Sequence, residues 1–278
     1  TTANGTVDLN DLRLAIWGGS LTIDSPLDPT YTGSQAFNLY NGTFALNDSW
    51  ILNGAFSQSN GTLSGSGSLT LNNSSNIWTA GYWAGGGSIT LNPGAVLTTS
   101  SDSVKGFAGR TLNITPGATA SFSGQGETSG GSNTINNSGN IVFNNGTNRN
   151  GDTWGFYPWG GSLTINNNAG GSITKQGTGL FAIGSNTSLN NNGSVNINAG
   201  TLRFDGGGTD TGSYNIAPGA ALWFNGGNRL LTETSAINAA EAAVDANGNP
   251  LPAYLSITAG NTTANGTVDL NDLRLAIW

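Results

Sequence analysis

The sequence predicts an all-β chain wound as a right-handed parallel β-helix, a β-solenoid with about 12 coils in residues 1–261. Three observations predict this fold. Apolar residues alternate with small or polar ones along short segments, a Pro-Gly or Ala-Gly corner recurs between segments, and the corners repeat at roughly 20 residues. Coils stacked at that interval bury apolar faces that one strand pair alone leaves exposed.

Short strands with one buried face are predicted along the whole chain. In each of them two apolar residues flank one small or polar residue, which is the period of two that such a strand requires. Gly, Asn and Ser separate the strands and mark turns. Examples are Leu69/Leu71, Ile89/Leu91, Leu112/Ile114, Leu163/Ile165, Val195/Ile197 and Leu202/Phe204.

The corner motif is an apolar residue, one further position, then Pro or Ala, then Gly. Proline presets φ for the first turn position, and glycine allows a positive φ at the next. Gly94 and Gly117 are 23 residues apart. A sandwich of antiparallel hairpins with Asn-Gly turns is the alternative fold, but it does not account for a fixed corner period. The corners are Leu91-Asn92-Pro93-Gly94, Ile114-Thr115-Pro116-Gly117, Ile197-Asn198-Ala199-Gly200, Ile216-Ala217-Pro218-Gly219 and Ile257-Thr258-Ala259-Gly260.

Two segments depart from the strand pattern. Residues 235–246 are rich in Ala and lack turn residues, which predicts a short helix that begins after Ser235 and ends at Asn247-Gly248. Residues 24–33, DSPLDPTYTG, predict a loop.

The chain repeats its own beginning. Residues 1–17, TTANGTVDLNDLRLAIW, return unchanged as residues 262–278. We therefore interpret residues 1–261 as one complete tandem unit and residues 262–278 as the start of an identical second unit. The phrase Trp17-GGSLTI also recurs inside the unit, as Trp159-GGSLTI.

The composition argues against most enzymes and against nucleic-acid binding. Charged residues are 8% of the chain, the net charge is −7, and Cys, His and Met are absent. Side chains for a triad or for thiol chemistry are therefore missing, and no basic run exists to meet phosphates. We predict no enzyme, no catalytic residue, no cofactor, no nucleic-acid partner and no membrane-spanning helix. The lack of Cys fits an extracellular or cell-surface protein. The carboxylates are expected on different coils, without the paired spacing that acid–base catalysis needs, and include Asp24, Asp28, Asp48, Asp102, Asp152, Asp205 and Asp210.

One stretch resembles a known family. Residues 173–204 look like the autotransporter-associated β-strand repeat of bacterial surface proteins, and residues 215–227 are similar to coils of filamentous-haemagglutinin-like adhesins. The resemblance implies a secreted β-helix at a cell surface. The residues that carry it are Lys175, Gly177, Gly179, Leu180, Ile183, Gly184, Asn186 and the run Asn198-Ala199-Gly200-Thr201-Leu202.

The repeated segment has a second, weaker resemblance, to half of a dockerin calcium loop. Gly266, Asp269 and Asp272 occupy the positions of its glycine, its ninth ligand and its final acid. Asn and Thr replace the early acidic ligands, so most of the charge that calcium needs is missing. An ordinary β-coil is the favoured interpretation, and Asp269 and Asp272 are the only metal candidates.

Two aromatic clusters are the candidates for binding. Exposed rings stack on sugars, whereas buried rings close corners or contacts between fibres. The candidate residues are Trp78, Tyr82, Trp83, Trp154, Tyr157 and Trp159.

The sequence favours a structural role. Its leading prediction is a giant extracellular fibre of tandem β-helical units whose partners are identical units end to end and, further, neighbouring fibres or surface glycans. The alternative is an adhesin passenger that binds a carbohydrate or a cell surface through the aromatic clusters. A polysaccharide-active enzyme is a remote third.

Overall fold

The computed structural model describes residues 2–3, 13–25, 34–124, 126–129, 131–149, 151–269 and 273–278. Over these residues the chain forms strands and connections and no helix. Strands from successive turns pair in parallel, and the whole is a β-solenoid of about 11 turns. The predicted all-β parallel solenoid is confirmed, and the antiparallel sandwich is wrong for the described residues.

The three large sheets are called faces I, II and III. Each regular turn passes through them in the order I, III, II. The turn that begins at Gly81 shows the order: Gly81–Ala84 lies on face I, Ser88–Leu91 on face III and Val96–Thr99 on face II. The next turn begins again on face I at Lys105–Ala108, which pairs with Gly81–Ala84. A triangular tube with a filled interior results.

The strands of each face are as follows. Face I contains Thr2–Ala3, Ser20–Ile23, Thr43–Leu46, Thr62–Ser64, Gly81–Ala84, Lys105–Ala108, Gly126–Ser129, Phe156–Trp159, Leu180–Ile183, Thr201–Phe204, Ala221–Leu231, Ala253–Ala264 and Leu273–Ile277, with Gly208–Asp210 paired to Ala221–Leu231. Face II contains Leu14–Ile16, Phe37–Leu39, Phe56–Gln58, Asn76–Trp78, Val96–Thr99, Thr119–Phe122, Asn140–Phe143, Ser172–Lys175, Ser194–Ile197, Ser213–Ile216, Ala236–Ala239 and Thr267–Val268. Face III contains Trp50–Leu52, Ser68–Leu71, Ser88–Leu91, Thr111–Ile114, Ser132–Asn137, Ser162–Asn167 and Thr187–Asn191.

Face III continues beyond its last separate strand. Gly208–Asp210 follows Thr187–Asn191 there, because the backbone N–H of Leu189 donates to the carbonyl of Gly207 at 3.1 Å. The second half of Ala221–Leu231 then pairs with Gly208–Asp210, and the second half of Ala253–Ala264 pairs in turn with Ala221–Leu231. Thr262–Ala264 is therefore the last described strand segment of face III.

The alternation seen in the sequence decides which side chains fill the tube. Leu69, Ile89, Leu112 and Ile135 stack at the same position of successive turns, and all four are buried. Turns are 19 to 24 residues long where they are regular, but the turn from Ile135 to Ile165 takes 30. Longer turns of this kind explain why about 11 turns form rather than the predicted 12.

Glycine forms a column at the corner between faces II and I. Gly42, Gly61 and Gly81 all have positive φ, at 80°, 74° and 94°. A Cβ atom on Gly61 would lie 2.5 Å from the carbonyl oxygen of Gly42, and one on Gly81 would lie 2.3 Å from that of Gly61. Successive backbones approach so closely here that any side chain would separate them. The predicted Pro-Gly corners are also present, with φ of 84° at Gly94 and 82° at Gly117.

The helix predicted for residues 235–246 is wrong. Ala236–Ala239 is a strand that pairs with Ser213–Ile216, and Ile237 is buried. Alanine has the highest intrinsic helix propensity, but tertiary context routinely overrides propensity, and here the preceding turn offers a row of backbone hydrogen-bond partners. The chain then forms an antiparallel hairpin between Ala243–Val244 and Pro250–Leu251. Most of the loop predicted at residues 24–33 lies outside the described residues.

Asparagine side chains form hydrogen-bonded ladders along the axis. One ladder is interior, where Asn137 donates to Asn167 at 2.7 Å and Asn167 donates to Asn191 at 2.7 Å. Three ladders lie on outer surfaces, and in all of them the amide of the later turn donates to the earlier one. They join Asn53, Asn72 and Asn92; Asn113, Asn136, Asn166 and Asn190; and Asn196, Asn215 and Asn238.

The described strands of the two copies of the repeated segment lie on different faces. In residues 1–17 the strand Leu14–Ile16 is on face II and pairs with Phe37–Leu39. In residues 262–278 the corresponding residues belong to Leu273–Ile277, which is on face I and pairs with the first half of Ala253–Ala264. One amino-acid sequence thus occupies two positions around the tube.

Candidate functional site

The structure divides the predicted aromatic clusters between the interior and the surface. Trp78 and Trp83 have no exposed area, and their rings stack at a centroid distance of 3.9 Å. The indole N–H of Trp83 donates to the side-chain oxygen of Gln58 at 2.8 Å, and that of Trp78 to the carbonyl of Ala80 at 3.1 Å. Both rings are core, so their expected role as ligand contacts is corrected. Tyr82, next to Trp83, points outward and lies against Gly106.

The second cluster stays at the surface. Phe156–Trp159 is a strand of face I, and its alternation places Phe156 in the core while Tyr157 and Trp159 point outward. Trp159 is 56% exposed. Tyr157 stands edge-on to Trp154 at 5.5 Å and lies 6.1 Å from Trp159. The three rings form one aromatic patch, which we call the outer aromatic patch.

Arg203 supports the edge of this patch. Its guanidinium lies 5.0 Å from the ring centre of Trp154 and binds both oxygens of Asp152, at 2.6 and 3.1 Å. It also donates to Asp205 at 3.2 Å. The hydrogen bond from Arg203 lowers the pKa of the Asp152 carboxyl below its ordinary value. Asp152 and Asp205 lie on different turns, as expected, but both bind the same guanidinium, because the hairpin that carries Asp152 brings it to Arg203.

The pattern of the sequence does not predict this arrangement. Asp152 and Trp154 lie in Asp152–Trp154, one strand of a hairpin whose other strand is Thr147–Arg149. The hairpin is inserted into the turn between Asn140–Phe143 and Phe156–Trp159, and this insertion breaks the regular spacing. Spacing along the chain alone therefore cannot place Asp152 beside Arg203, 51 residues later.

The calcium candidate lies in an ordinary turn of the solenoid. Thr267–Val268 is a strand on face II that pairs with Ala236–Ala239, and the backbone N–H of Asp269 donates to the carbonyl of Ile237 at 2.9 Å. Thr267–Val268 is thus paired as in an ordinary β-coil, the interpretation that the sequence favours. Asp272 lies outside the described residues. Within the described ranges, no three His, Cys, Asp or Glu side chains gather closely enough to hold a metal ion.

A buried ion pair lies inside the tube, where face III passes from Gly208–Asp210 to the second half of Ala221–Leu231. Arg229 binds Asp210 at 2.6 Å and donates to the hydroxyl of Tyr214 at 3.0 Å, and all three side chains are buried. The guanidinium also lies 4.7 Å from the ring centre of Phe224. Burial raises the pKa of the Asp210 carboxyl, while Arg229 acts to lower it. The strand pattern of the sequence did not predict this pair. Its signal was a charged residue, Asp210, at an inward position of a strand.

The solenoid is open at its C-terminal end. A cavity of about 190 Å³ lies there, lined by Leu231, Leu255, Thr262, Ala264 and Leu275, among others. Leu275 is inward-facing in register with Leu255 yet remains 44% exposed. Apolar side chains at this end therefore point to a position that a further turn would occupy.

Comparison with known proteins adds no relative. No family model, curated protein or solved structure matches the chain. The resemblance to autotransporter-type repeats therefore remains a prediction. Among the described residues there is no helix long and apolar enough to cross a bilayer.

Proposed function

We propose that this chain is one unit, with the start of the next, of a structural fibre made of tandem right-handed β-helical units, located outside the cell or on its surface. The observation that carries the proposal is the identity of residues 1–17 and 262–278 on a solenoid whose C-terminal end leaves inward apolar residues uncovered. An array of such units has each unit's last turn covered by the next unit's first.

The mechanism of such a fibre is mechanical. Backbone hydrogen bonds between turns run along the axis, and every further turn buries another layer of Leu, Ile, Val and Phe. Asparagine ladders add side-chain hydrogen bonds in the same direction, inside and outside the tube. The net charge of −7 favours solubility of the shaft.

Electron microscopy of a protein with several units in tandem tests the proposal. We expect one unbranched shaft whose length grows in proportion to the number of units. Beads joined by gaps, with one bead per unit, would contradict it, because the units would then fold separately rather than stack.

The alternative function, carbohydrate binding by an adhesin, is favoured by the outer aromatic patch. Trp159 and Tyr157 present aromatic area beside the charged groups Asp152 and Arg203, and aromatic faces with flanking polar groups suit sugar rings.

A glycan array tests this alternative. Replacing Trp159 and Tyr157 by Ala is expected to weaken any specific binding at least about tenfold, since stacked rings contribute about 1 kcal/mol or more each. Tyr254→Ala is the matched control, because Tyr254 is 38% exposed and lies outside the patch. Equal binding by all variants would remove the patch as the site.

A further inference from the structure

The two positions of the repeated segment describe how units join. We propose that, in a chain with a preceding unit, Leu14–Ile16 lies on face I and Ser20–Ile23 on face III, one face further than in the first unit of the chain. We call this the one-face shift. It rests on the proposed tandem fibre and specifies the surface by which one unit receives a second copy.

The position of Leu273–Ile277 supports the one-face shift. This strand lies on face I, with Leu275 and Ile277 in register with Leu255 and Ile257. The same residues of the first copy, Leu14–Ile16, lie on face II. Only the second copy has a complete turn before it, so its position is the one that a unit inside an array has.

Strand pairing on face III supports the same shift. Thr262–Ala264 is the last segment of that face, where Thr263 pairs with Leu230 and Ala264 with Leu231. In the first copy, the equivalent Thr2 and Ala3 pair with Thr22 and Ile23. Thr263 and Ala264 are the second copies of Thr2 and Ala3, so they should pair with Thr22 and Ile23 of the following unit. Because Thr263 and Ala264 lie on face III, Ser20–Ile23 of that unit then lies on face III as well.

The core accepts either arrangement. In the described structure, Leu21 and Ile23 are in register with Phe44 and Leu46. After the one-face shift, Leu14 and Ile16 take the same two positions, so Phe44 and Leu46 again meet a leucine and an isoleucine. The Leu-x-Ile pattern occurs twice at a spacing of seven residues, as Leu-Ala-Ile and Leu-Thr-Ile. Exchange of one for the other leaves the packing chemistry of face I unchanged.

A connection of this kind already occurs within the unit. Trp159 ends a strand of face I, and Gly160-Gly161 leads directly to Ser162–Asn167 on face III. Trp278 likewise follows a strand of face I. The phrase Trp-Gly-Gly-Ser-Leu-Thr-Ile therefore already connects face I to face III once in this chain.

The one-face shift also covers two edges. Leu21 and Ile23 of the following unit lie next to Thr262 and Ala264, at the mouth of the C-terminal cavity. Their strand then extends face III beyond Trp50–Leu52, which is the first strand of that face in the described structure. Trp50 is buried there and its indole N–H has no hydrogen-bond acceptor.

Cysteine pairs distinguish the two arrangements, because the chain has no cysteine of its own. Four variants of a two-unit protein are made, each with one cysteine pair in one unit. The pair is Thr22→Cys with Ala45→Cys or Thr22→Cys with Ile51→Cys, and it is placed in the first unit or in the second. Adjacent parallel strands are about 4.8 Å apart, close enough for a disulfide between outward-facing partners. Thr70→Cys with Thr90→Cys is the positive control, since these residues are paired on face III.

We expect the Thr22→Cys, Ala45→Cys pair to oxidise in the first unit and the Thr22→Cys, Ile51→Cys pair in the second, each at least about tenfold faster than the other pair in that unit. Oxidation of the Thr22→Cys, Ala45→Cys pair in the second unit, or of neither pair there, overturns the one-face shift. If electron microscopy of the same protein shows one continuous shaft, that failure leaves the fibre proposal intact. Separate beads overturn both.

Discussion

At the scale of single residues, the two lysines of the chain are both buried and bind backbone carbonyls. The ammonium of Lys105 donates to Ser101 at 2.7 Å and to Ser103 at 2.8 Å. That of Lys175 donates to Gly177 and, at 3.4 Å, to Ala199. Burial lowers the pKa of each lysine from the ordinary value of 10.5 to about 8. The carbonyls do not fully replace the water that each ammonium loses.

Stability should consequently rise with pH. Between pH 8 and 10.5 the unfolded chain keeps protons that the folded chain has lost, so the free energy of unfolding increases across that window, by at most about 3 kcal/mol per lysine. Lys175→Met should remove its share of the rise, measured by urea unfolding from pH 7 to 10.5. Arg274→Met, which removes an exposed charge, is the control. If the unsubstituted protein, Lys175→Met and Arg274→Met all showed the same slope of unfolding free energy against pH, the lowered pKa assigned to Lys175 would be wrong.

At the scale of elements, the interior asparagine ladder ties three strands of face III together. Asn167 is its centre, since it accepts from Asn137 and donates both to Asn191 and to the carbonyl of Ser194. Water does not reach these amides, so each lost partner leaves a buried polar group without compensation.

Asn167→Ala should therefore lower the free energy of unfolding by about 2–4 kcal/mol. Asn166→Ala is the matched control. Asn166 is next to Asn167 in sequence but belongs to an outer ladder, where water can replace the lost hydrogen bonds. We expect its free energy of unfolding to fall by less than about 1 kcal/mol. Urea denaturation of both variants gives the comparison. Equal losses would show that interior position is not what makes the ladder stabilising.

Elements also show what the sequence could predict. Alternation and corner glycines predicted the strands and the parallel stacking, because both follow from the period of the backbone. The direction of a side chain was harder, since Tyr82 and Trp83 are both aromatic. Only the register of Trp83 with Leu63, one turn earlier, distinguishes the inward residue. The hairpin at Asp152 and the strand at Ala236 depend on neighbouring turns, which local preferences do not contain.

At the scale of the whole molecule, the number of turns sets the length of a unit. Eleven turns at a strand spacing of about 4.8 Å advance about 53 Å along the axis. The 12 coils predicted from the sequence correspond to about 57 Å. Residues in the long turns extend outward as hairpins and add no height. Averaged electron micrographs of the tandem protein should therefore show an axial repeat near 53 Å, and a clearly longer repeat would mean that units do not stack directly.

The glycine column has a consequence for how such a chain diverges over time. Gly42, Gly61 and Gly81 admit no replacement, because a methyl group at any of them meets the carbonyl of the turn before. Outward positions that already carry exposed side chains, such as Ile51, have no such restriction. We expect inherited change to collect at those outward positions while the corners stay fixed. Distantly related proteins would then share the spacing of the corner glycines rather than detectable sequence identity.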